Sequence, residues 1–393
     1  MAKRRSNGEG TLYHQPNGTW SARLSYLDPE TGQRKRVAFY APTQREVKAK
    51  MKAARDRIDA GAPPKDATVT VGAWLAHWRQ TTLAASSRKE ATRELYANLS
   101  RVHLEPPPFG ATPLDRLKPS DIERIVLDLR GRSKTRGEGD DAEQVRALSD
   151  STIRTTYTVL RSALDAAVRD GLLGRNPAAQ VKRPAVQRAE AKHLAPDDVA
   201  ALLRAATDSR YHPALALIAA TGLRRGEALA LRWADIDLDA GLLRVTQTLG
   251  RVGKRLVVSE PKTQRARRTV PLSPPVVAVL KKHRTAQIEE RIRAANKWEE
   301  TGLVFTTALG TPVDPRNLTR VVEVAAQRAG LEGVGVHTLR HSAATAWLER
   351  VHIKAVSDLL GHASVAITGD VYGHTSDDTA RAAVEGLTNA LGL

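Results

Sequence analysis

Two short segments that disfavour regular secondary structure divide this sequence into three parts. The first is GAPPKD at 61–66, a stiff run with two prolines, and the second is VKRPAVQRAEAK at 181–192, which is charged and lacks periodicity. Because 393 residues are too many for one ordinary hydrophobic core, we expect both segments to be domain boundaries. The sequence therefore predicts domains at 1–62, 67–184 and 190–393.

The first part is predicted to be a β-hairpin followed by one helix. Residues 19–26 and 33–40 alternate as strands do, and DPETG between them has turn chemistry. Thr43 and Glu46 form a capping box before a basic run that reaches Gly61. Such a module either binds DNA with a β-ribbon or only adds solubility. The basic residues on or beside its strands are Arg23, Arg34, Lys35 and Arg36.

The second part, 70–184, is predicted to be all-α. It has a capping-box pattern at Ser120 and Glu123, and a helical pattern over 151–169 that ends at Gly171. The stretch GRSKTRGEGDD is polar and glycine-rich, so we expect it to be a loop.

The third part is predicted to mix helices with a small inserted antiparallel sheet. Its helical patterns cover 196–206, 212–220 and 224–233, its strand-like runs are 242–249, 255–260 and 267–272, and further helices follow to the end. The predicted fold class for the whole chain is therefore α+β and multidomain.

Charge and composition narrow the function. The chain has 61 Lys and Arg against 43 Asp and Glu, a formal charge of +18, and every part carries a basic excess. So broad an excess favours an extended anionic partner, nucleic acid first, although it also aids solubility. The absence of cysteine excludes disulfides and thiolate chemistry. With no apolar run of about 18 residues, we expect no membrane association and a cytoplasmic protein.

The heptapeptide TGLRRGE at 221–227 has the pattern of an anion site. Gly222 is expected to end one helix just before another begins, which puts Arg224 beside outward-pointing backbone N–H groups. Arginine can hold two phosphate oxygens at once, and Glu227 lies one turn further on, where it could brace the arginine. Taken alone, the motif could equally be a surface Arg–Glu pair.

Further chemistry-bearing residues follow in order along the chain. Lys262 in PKT lies between two strand-like runs and is expected at a hairpin tip. HTLRH at 337–341 puts His337, Arg340 and His341 on roughly one side of a helix. His362 ends LLGH, and ten residues later DVYGH contains Tyr372.

The ordered motifs TGLRRGE, PKT, HTLRH, LLGH and DVYGH resemble those of the tyrosine recombinase, or phage-type integrase, family over about residues 190–380. The resemblance implies cleavage and rejoining of DNA strands through a 3′-phosphotyrosine, without metal, ATP or another cofactor. It also implies an arm-type DNA-binding domain at 1–62 and a helical core-binding domain at 67–184. The implied catalytic residues are Arg224, Lys262, His337, Arg340, His362 and Tyr372.

The resemblance also implies supporting residues and partners. Glu227 matches the acidic residue that supports the first arginine, and His341 is given a structural role. Implied partners are double-stranded attachment sites, a homotetramer on DNA coupled by the tail at 376–393, a host DNA-bending protein and an excision factor, in a bacterial cytoplasm near the nucleoid. The basic residues expected to contact DNA are Arg225, Arg267 and Arg268, together with the four on the N-terminal strands.

Other functions remain open from the residues alone. A zinc hydrolase could use His337 and His341, but Thr338 stands where H-E-x-x-H has its glutamate, and Arg340 between the two would repel a cation. A non-catalytic DNA-binding regulator would explain the charge but not the order of the motifs. A type IB topoisomerase shares the expected chemistry, whereas the N-terminal hairpin favours recombination.

Overall fold

A computed structural model describes residues 11–16, 18–27, 34–59, 69–136, 142–187, 192–260 and 264–372, apart from the side chains of residues 57, 59, 264 and 370–372. The chain forms two compact units, Met1–Gln187 and Arg188–Leu393. Among the described helices, none is both long and apolar enough to cross a membrane.

The first unit begins with a three-stranded antiparallel sheet and one helix. The strands β1 (Thr11–His14), β2 (Trp20–Leu27) and β3 (Arg34–Ala41) lie in that order, and α1 (Gln44–Asp59) follows them. This confirms the predicted hairpin and helix and adds β1. One face of the sheet packs on α1 because alternate residues of each strand are apolar. The core of this module is Ala22, Leu24, Val37, Phe39, Ala41, Val47 and Ala54.

The remainder of the first unit is mainly helical. Its helices are α2 (Val71–Trp78), α3 (Glu90–Leu99), α4 (Pro119–Gly131) and α5 (Asp150–Arg169). One π-helical turn extends α2 and another extends α3, at Arg79–Leu83 and Ser100–Leu104. Short 3₁₀ turns occupy Phe109–Ala111, Leu114–Arg116 and Pro177–Gln180. A separate core forms here because α5 buries a helical stripe that includes Ile153, Tyr157, Leu160 and Leu164.

Two predictions for this part were wrong in detail. The segment expected to be a polar loop contributes β4 (Ser133–Arg136), which pairs antiparallel with β5 (Glu143–Arg146), so the part is not all-α. Thr135 is β-branched and accepts a hydrogen bond from Gln144 Nε2 at 2.9 Å. A local sequence pattern does not predict this contact, because it joins two different strands. At α4 the N-cap is Lys118, two residues before the predicted Ser120, because Pro119 opens the helix and Asp121 accepts from the Lys118 backbone N–H at 3.0 Å.

The second unit alternates helices with short strands. Its helices are α6 (Pro196–Ala205), α7 (His212–Thr221), α8 (Arg225–Leu229), α9 (Pro274–Ala294), α10 (Pro315–Arg328), α11 (Val336–Leu348), α12 (Ile353–Leu360) and α13 (Val365–Tyr372). Its strands are β6 (Ile236–Asp237), β7 (Leu242–Val245), β8 (Thr248–Val252), β9 (Arg255–Ser259) and β10 (Arg268–Pro271). The 3₁₀ turns are Trp233–Asp235, Gln264–Ala266 and Ala295–Lys297. Mixed helix and sheet agrees with the predicted α+β class.

The strands of the second unit form two separate antiparallel sheets. One sheet has the order β10-β7-β6, and β8 pairs only with β9 among the described strands. The predicted single strand at 242–249 is therefore two strands in different sheets. Thr246, between them, donates to Asp235 Oδ1 at 3.3 Å. The predicted helix at 224–233 is also too long, because Leu231 O instead accepts from the Val304 N–H at 2.8 Å.

Candidate active site

Arg224 lies at the start of α8, immediately after a sharp chain reversal. Gly222 ends α7 with φ of +61°, a conformation that side chains disfavour, and a Cβ there would lie 2.9 Å from Leu360 Cδ2. Glu227 Oε2 accepts from the Arg224 backbone N–H at 3.0 Å, and Oε1 accepts from Arg224 Nη1 at 2.7 Å. The predicted brace between these two residues is therefore confirmed.

Glu227 also holds a second arginine. Its Oε2 accepts from Arg268 Nη2 at 2.8 Å, and both side chains are nearly buried, at 3 % and 6 % exposed. Burial would raise the pKa of Glu227, but the hydrogen bond from Arg268 and the charges of Arg268 and Arg224 outweigh that effect and lower it. The carboxylate thus stays ionised between two guanidinium groups.

The prediction that Arg268 contacts DNA does not fit this position. Besides Glu227, its Nε donates to Leu359 O at 2.6 Å and its Nη1 to Ala266 O at 3.1 Å. A guanidinium so enclosed serves as internal support for the site. Arg267 is on the surface, paired with Glu260 at 2.9 Å, and Arg225 donates to Thr319 Oγ1.

Arg340 is buried in α11 and is fixed by two backbone carbonyls. Nη1 donates to Gly222 O at 2.6 Å and Nη2 to Leu360 O at 2.8 Å. Arg224 Nη2 lies 3.4 Å from Gly361 O, the next carbonyl along the chain. Because Arg224 and Arg340 end on consecutive carbonyls, their guanidinium groups converge at the C-terminus of α12.

His362 follows this pair of carbonyls and is neutral over the physiological range. Gly361, with φ of +65°, ends α12, and the next residue directs its ring Nδ1 to within 2.8 Å of Thr368 Oγ1. Burial, and then the charges of Arg340, Arg224 and Arg268, lower the pKa of His362 to about 4. The contact with Thr368, a fully buried residue on α13, was not predicted.

His337 and His341 extend from α11 on either side of Arg340. His337 is exposed, yet partial desolvation and the charges of Arg225, Arg340 and Arg224 lower its pKa. His341 is half-buried, and burial followed by the charges of His337, Arg340 and His193 lowers its pKa too. Both rings are therefore neutral near pH 7, where a neutral imidazole can accept a proton.

Two predicted catalytic side chains lie outside the described residues. Lys262 falls between β9 and β10, and these strands belong to different sheets, so the prediction of a hairpin formed by the two was wrong. The described turn that joins β8 to β9 contains Gly253 instead. Tyr372 is the last residue of α13, and only its backbone is described. The predicted tail helix at 376–393 is likewise outside the described part.

The N-terminal basic residues lie on two faces of the sheet. Arg23, Arg34 and Arg36 share the face opposite α1, because Arg23 pairs with Ala38, Ser25 with Arg36 and Leu27 with Arg34. Tyr13, also on this face, lies under the Arg23 guanidinium with 5.6 Å between Cζ and the ring centroid. Lys35 alternates to the other face, so it cannot share one binding surface with the three arginines.

Comparisons with known proteins agree with this architecture. The chain is 30% identical to a tyrosine recombinase XerC-like protein of Caldanaerobacter subterraneus subsp. tengcongensis, over 92% of this chain and 93% of the relative. A Tn1549 transposon integrase solved with transposon right end DNA has the same fold, with a TM-score of 0.66 and 20% identity over 81% of this chain and 99% of that one. A lambda integrase tetramer solved on a Holliday junction gives a TM-score of 0.59 and 19% identity, over 95% and 99%.

The fold is that of integrases solved with DNA, and its catalytic unit brings Arg224 and Arg340 together at the end of α12. The Phage integrase family model matches residues 192–379, and with the relative above it shows that this chain belongs to the phage integrase family of tyrosine recombinases. The protein is a site-specific recombinase that cleaves and rejoins DNA strands.

Proposed function

We propose that Tyr372 is the nucleophile and that it attacks a DNA phosphodiester held by Arg224 and Arg340. The Tyr372 Oη–phosphorus bond forms as the bond to the 5′-oxygen breaks, which leaves a 3′-phosphotyrosine and a free 5′-hydroxyl. Because the link to the enzyme conserves a phosphoester bond, the reverse attack by a 5′-hydroxyl from another strand rejoins DNA without an energy source. The observation that carries this proposal is the convergence of two guanidinium groups at Leu360 O and Gly361 O.

In this proposal the two arginines stabilise the negative charge that grows on the nonbridging oxygens. Fixed donors act strongly because they need no reorganisation when the charge develops. Two backbone carbonyls fix the orientation of the Arg340 guanidinium, and Glu227 fixes that of Arg224. The Arg224 side chain is 37 % exposed, so DNA can reach it.

Proton transfers fall to the residues around the arginines. Tyrosine has an ordinary pKa of about 10, so its hydroxyl needs an acceptor during attack. The lowered pKa of His337 keeps the ring neutral and suits it to accept that proton. Lys262 is proposed to protonate the departing 5′-oxygen. When Thr368 donates to Nδ1 of the neutral His362, Nε2 carries the proton and can hydrogen-bond the phosphate.

The helix that carries Tyr372 is connected to the arginine pair through Thr368. Thr368 and Tyr372 are four positions apart, a spacing that puts two helical residues on one face. Thr368 contacts His362, and His362 follows the carbonyl that Arg224 approaches. This chain of contacts supports delivery of the tyrosine to the same phosphate.

The wider assembly is proposed from the remaining features. The exposed sheet face with Arg23, Arg34 and Arg36 supports binding of arm-type DNA by residues 1–62, and the helical part at 67–184 is proposed to bind the core site. Arg225 and Arg267 are proposed to contact the core DNA as well. By analogy with the lambda integrase tetramer, we expect a homotetramer on DNA coupled through 376–393. The natural reaction would be integration and excision of a phage or integrative element in the bacterial cytoplasm, near the nucleoid, aided by a host bending protein and an excision factor.

A suicide substrate tests the proposal. Wild type and Tyr372→Phe are incubated with a nicked duplex that spans the junction between the element and its host chromosome, and the products are run on a denaturing gel. We expect a covalent protein–DNA adduct with wild type only, while both proteins shift the duplex on a native gel. An adduct that persists in Tyr372→Phe would remove Tyr372 from the nucleophile's role.

A further inference from the structure

A second basic cleft adjoins the arginine pair in the catalytic unit. It has a volume of about 520 Å³ and lies between the start of α8, the β8–β9 hairpin, the start of α10 and the start of α11. Gly226 lets α8 approach β8 closely, because a Cβ there would lie 2.6 Å from Leu249 O. The charged residues that line the cleft are Arg224, Arg225, Arg251, Arg316, His337 and a single carboxylate, Asp314.

Two arginines of this cleft belong to no motif identified in the sequence. Arg251 pairs with Asp314 through Nη1 and donates from Nε to Gly253 O at 2.9 Å, which fixes its guanidinium on the hairpin. Arg316 is exposed at the start of α10, and its side chain has no hydrogen-bond or ion-pair partner among the described residues. Asp314 instead accepts from the Arg316 backbone N–H at 3.0 Å, as the N-cap of α10.

The balance of charge in the cleft favours an anion. Of the four guanidinium groups, Arg224 pairs with Glu227 and Arg251 with Asp314, so Arg225 and Arg316 carry the excess positive charge. An exposed arginine with no hydrogen-bond or ion-pair partner among the described residues, next to others of the same charge, is stabilised by an external oxyanion. Arg224 lines both this cleft and the proposed scissile phosphate site, so the anion must lie close to the reacting phosphate.

DNA supplies such an anion at a regular spacing. Successive phosphates of one strand follow every ~3.4 Å of the helix axis. We propose that this cleft binds a phosphodiester next to the scissile one, with Arg316 and Arg251 as its ligands, and so orients the strand in the active site. This inference rests on the proposed function, because it takes the strand held by Arg224 as its starting point.

The orienting role follows from where the two arginines lie. Phosphate contacts carry no sequence information directly but fix the position of a protein on the duplex. Arg251 is held by the hairpin and Arg316 by the first turn of α10, so the second phosphate would be gripped from two elements. A strand held at two neighbouring phosphates has a fixed direction across the active site, which keeps the scissile phosphate oriented towards Arg224.

Arg316→Ala is the informative variant because the side chain supports no described contact of the fold. Arg320→Ala is its matched control, since Arg320 is exposed one turn further along α10 and lines a different cavity. Binding of both variants and wild type to the junction duplex is measured by fluorescence anisotropy over a range of KCl concentrations. Thermal unfolding of each variant checks that it is folded.

We expect Arg316→Ala to weaken binding about tenfold and to reduce the slope of log K against log salt by about 0.9, with Arg320→Ala within about twofold of wild type. Neutral methylphosphonate linkages, placed one at a time beside the cleavage position, then locate the contact. At one flanking linkage the substitution should weaken wild type about tenfold and Arg316→Ala less than twofold. Equal losses for both proteins at every linkage, or wild-type affinity in Arg316→Ala, would overturn the inference.

The covalent adduct separates this outcome from failure of the proposed function. If wild type forms the Tyr372 adduct but Arg316→Ala keeps its affinity and salt slope, only the second phosphate site is wrong. If wild type forms no adduct, the proposed nucleophile fails, and the salt slopes still report on the cleft.

Discussion

Arginine occurs in two opposite settings in this protein. Arg340 and Arg268 are nearly buried, and the carbonyls and the carboxylate around them fix each guanidinium. Arg34 and Arg36 stand on an exposed sheet face in the N-terminal module. In the proposed function, the first setting holds Arg340 ready to stabilise a transition state, with Arg268 as internal support. The second setting attracts a polyanion whose phosphates are already charged in the ground state. On this proposal, arginine contributes to rate in one region and to affinity in the other.

The largest expected effect is at Arg340. Arg340→Ala removes a guanidinium whose contribution grows in the transition state, so we expect cleavage of a suicide substrate to slow by about 10³-fold or more. Affinity for the junction duplex should change by less than about tenfold. Arg340→Lys keeps the charge but not the planar fork, and should still lose about 100-fold. If Arg340→Ala lowers DNA affinity by as much as it lowers the cleavage rate, Arg340 would not differ in role from the exposed arginines.

The next effect concerns Glu227, which separates two guanidinium groups. Glu227→Gln leaves the buried Arg268 charge unpaired, so we expect a loss of about 3 kcal/mol in the free energy of unfolding. Glu290→Gln breaks a more exposed pair with Arg210 and should cost less than about 1 kcal/mol. Urea titrations of the three proteins measure both values.

The difference in unfolding free energy between wild type and Glu227→Gln should depend on pH in one direction. Because the pKa of Glu227 is lowered in the folded state, its stabilising contribution is complete above the unfolded pKa of about 4.3 and is lost as pH falls towards the folded value. The difference in unfolding free energy between wild type and Glu227→Gln should therefore be constant from pH 7 to about 5 and shrink below that. A gap that widens on acidification would contradict the assignment.

A smaller effect is expected at Thr368. Thr368→Val keeps the shape but loses the hydroxyl that orients His362, so cleavage should slow by about tenfold without loss of DNA affinity. Thr368→Ser restores the hydroxyl and should recover most of the rate. Equal damage in Val and Ser would mean that packing, not the hydrogen bond to His362, is what matters at this position.

The smallest effect belongs to the exposed sheet. Arg36→Ala should weaken binding of arm-type DNA a few-fold and lower the salt slope by about 0.9, with cleavage of a core-only suicide substrate unchanged. Lys52→Ala is the matched control, because Lys52 has the same charge but lies on α1, against the opposite face of the sheet. If Arg36→Ala slowed cleavage of the core-only substrate, the proposal that this exposed arginine contributes to affinity and not to rate would be contradicted.

The contacts at these sites explain what the sequence could and could not predict. The reversal at Gly222 and the brace between Arg224 and Glu227 span six residues, so a local pattern predicts them. The burial of Arg268 depends on Glu227, 41 residues away, and the fixation of Arg251 depends on Asp314, 63 residues away. Periodicity carries no information on such pairs, so Arg268 was predicted to contact DNA and Arg251 was not singled out.

The pairing of the strands could not be predicted for the same reason. Most strands were predicted from the sequence, but the strands that pair with β8 and β10 were not. The reason is that alternation of apolar and polar residues indicates a strand but not which strand it pairs with. The ordered motifs located the candidate residues through resemblance to a family, and apart from the brace between Arg224 and Glu227 the contacts among them came only from the fold.

The most direct test of the account is to identify the residue that becomes linked to DNA. Wild-type adduct from the suicide substrate is digested with nuclease and protease, and the peptides are sequenced by mass spectrometry. We predict that the nucleotide remnant lies on Tyr372 alone and that it is joined to the 3′ end of the cleaved strand. A remnant on another residue, or a 5′ linkage, would contradict the proposal that the paired arginines serve a tyrosine at the end of α13.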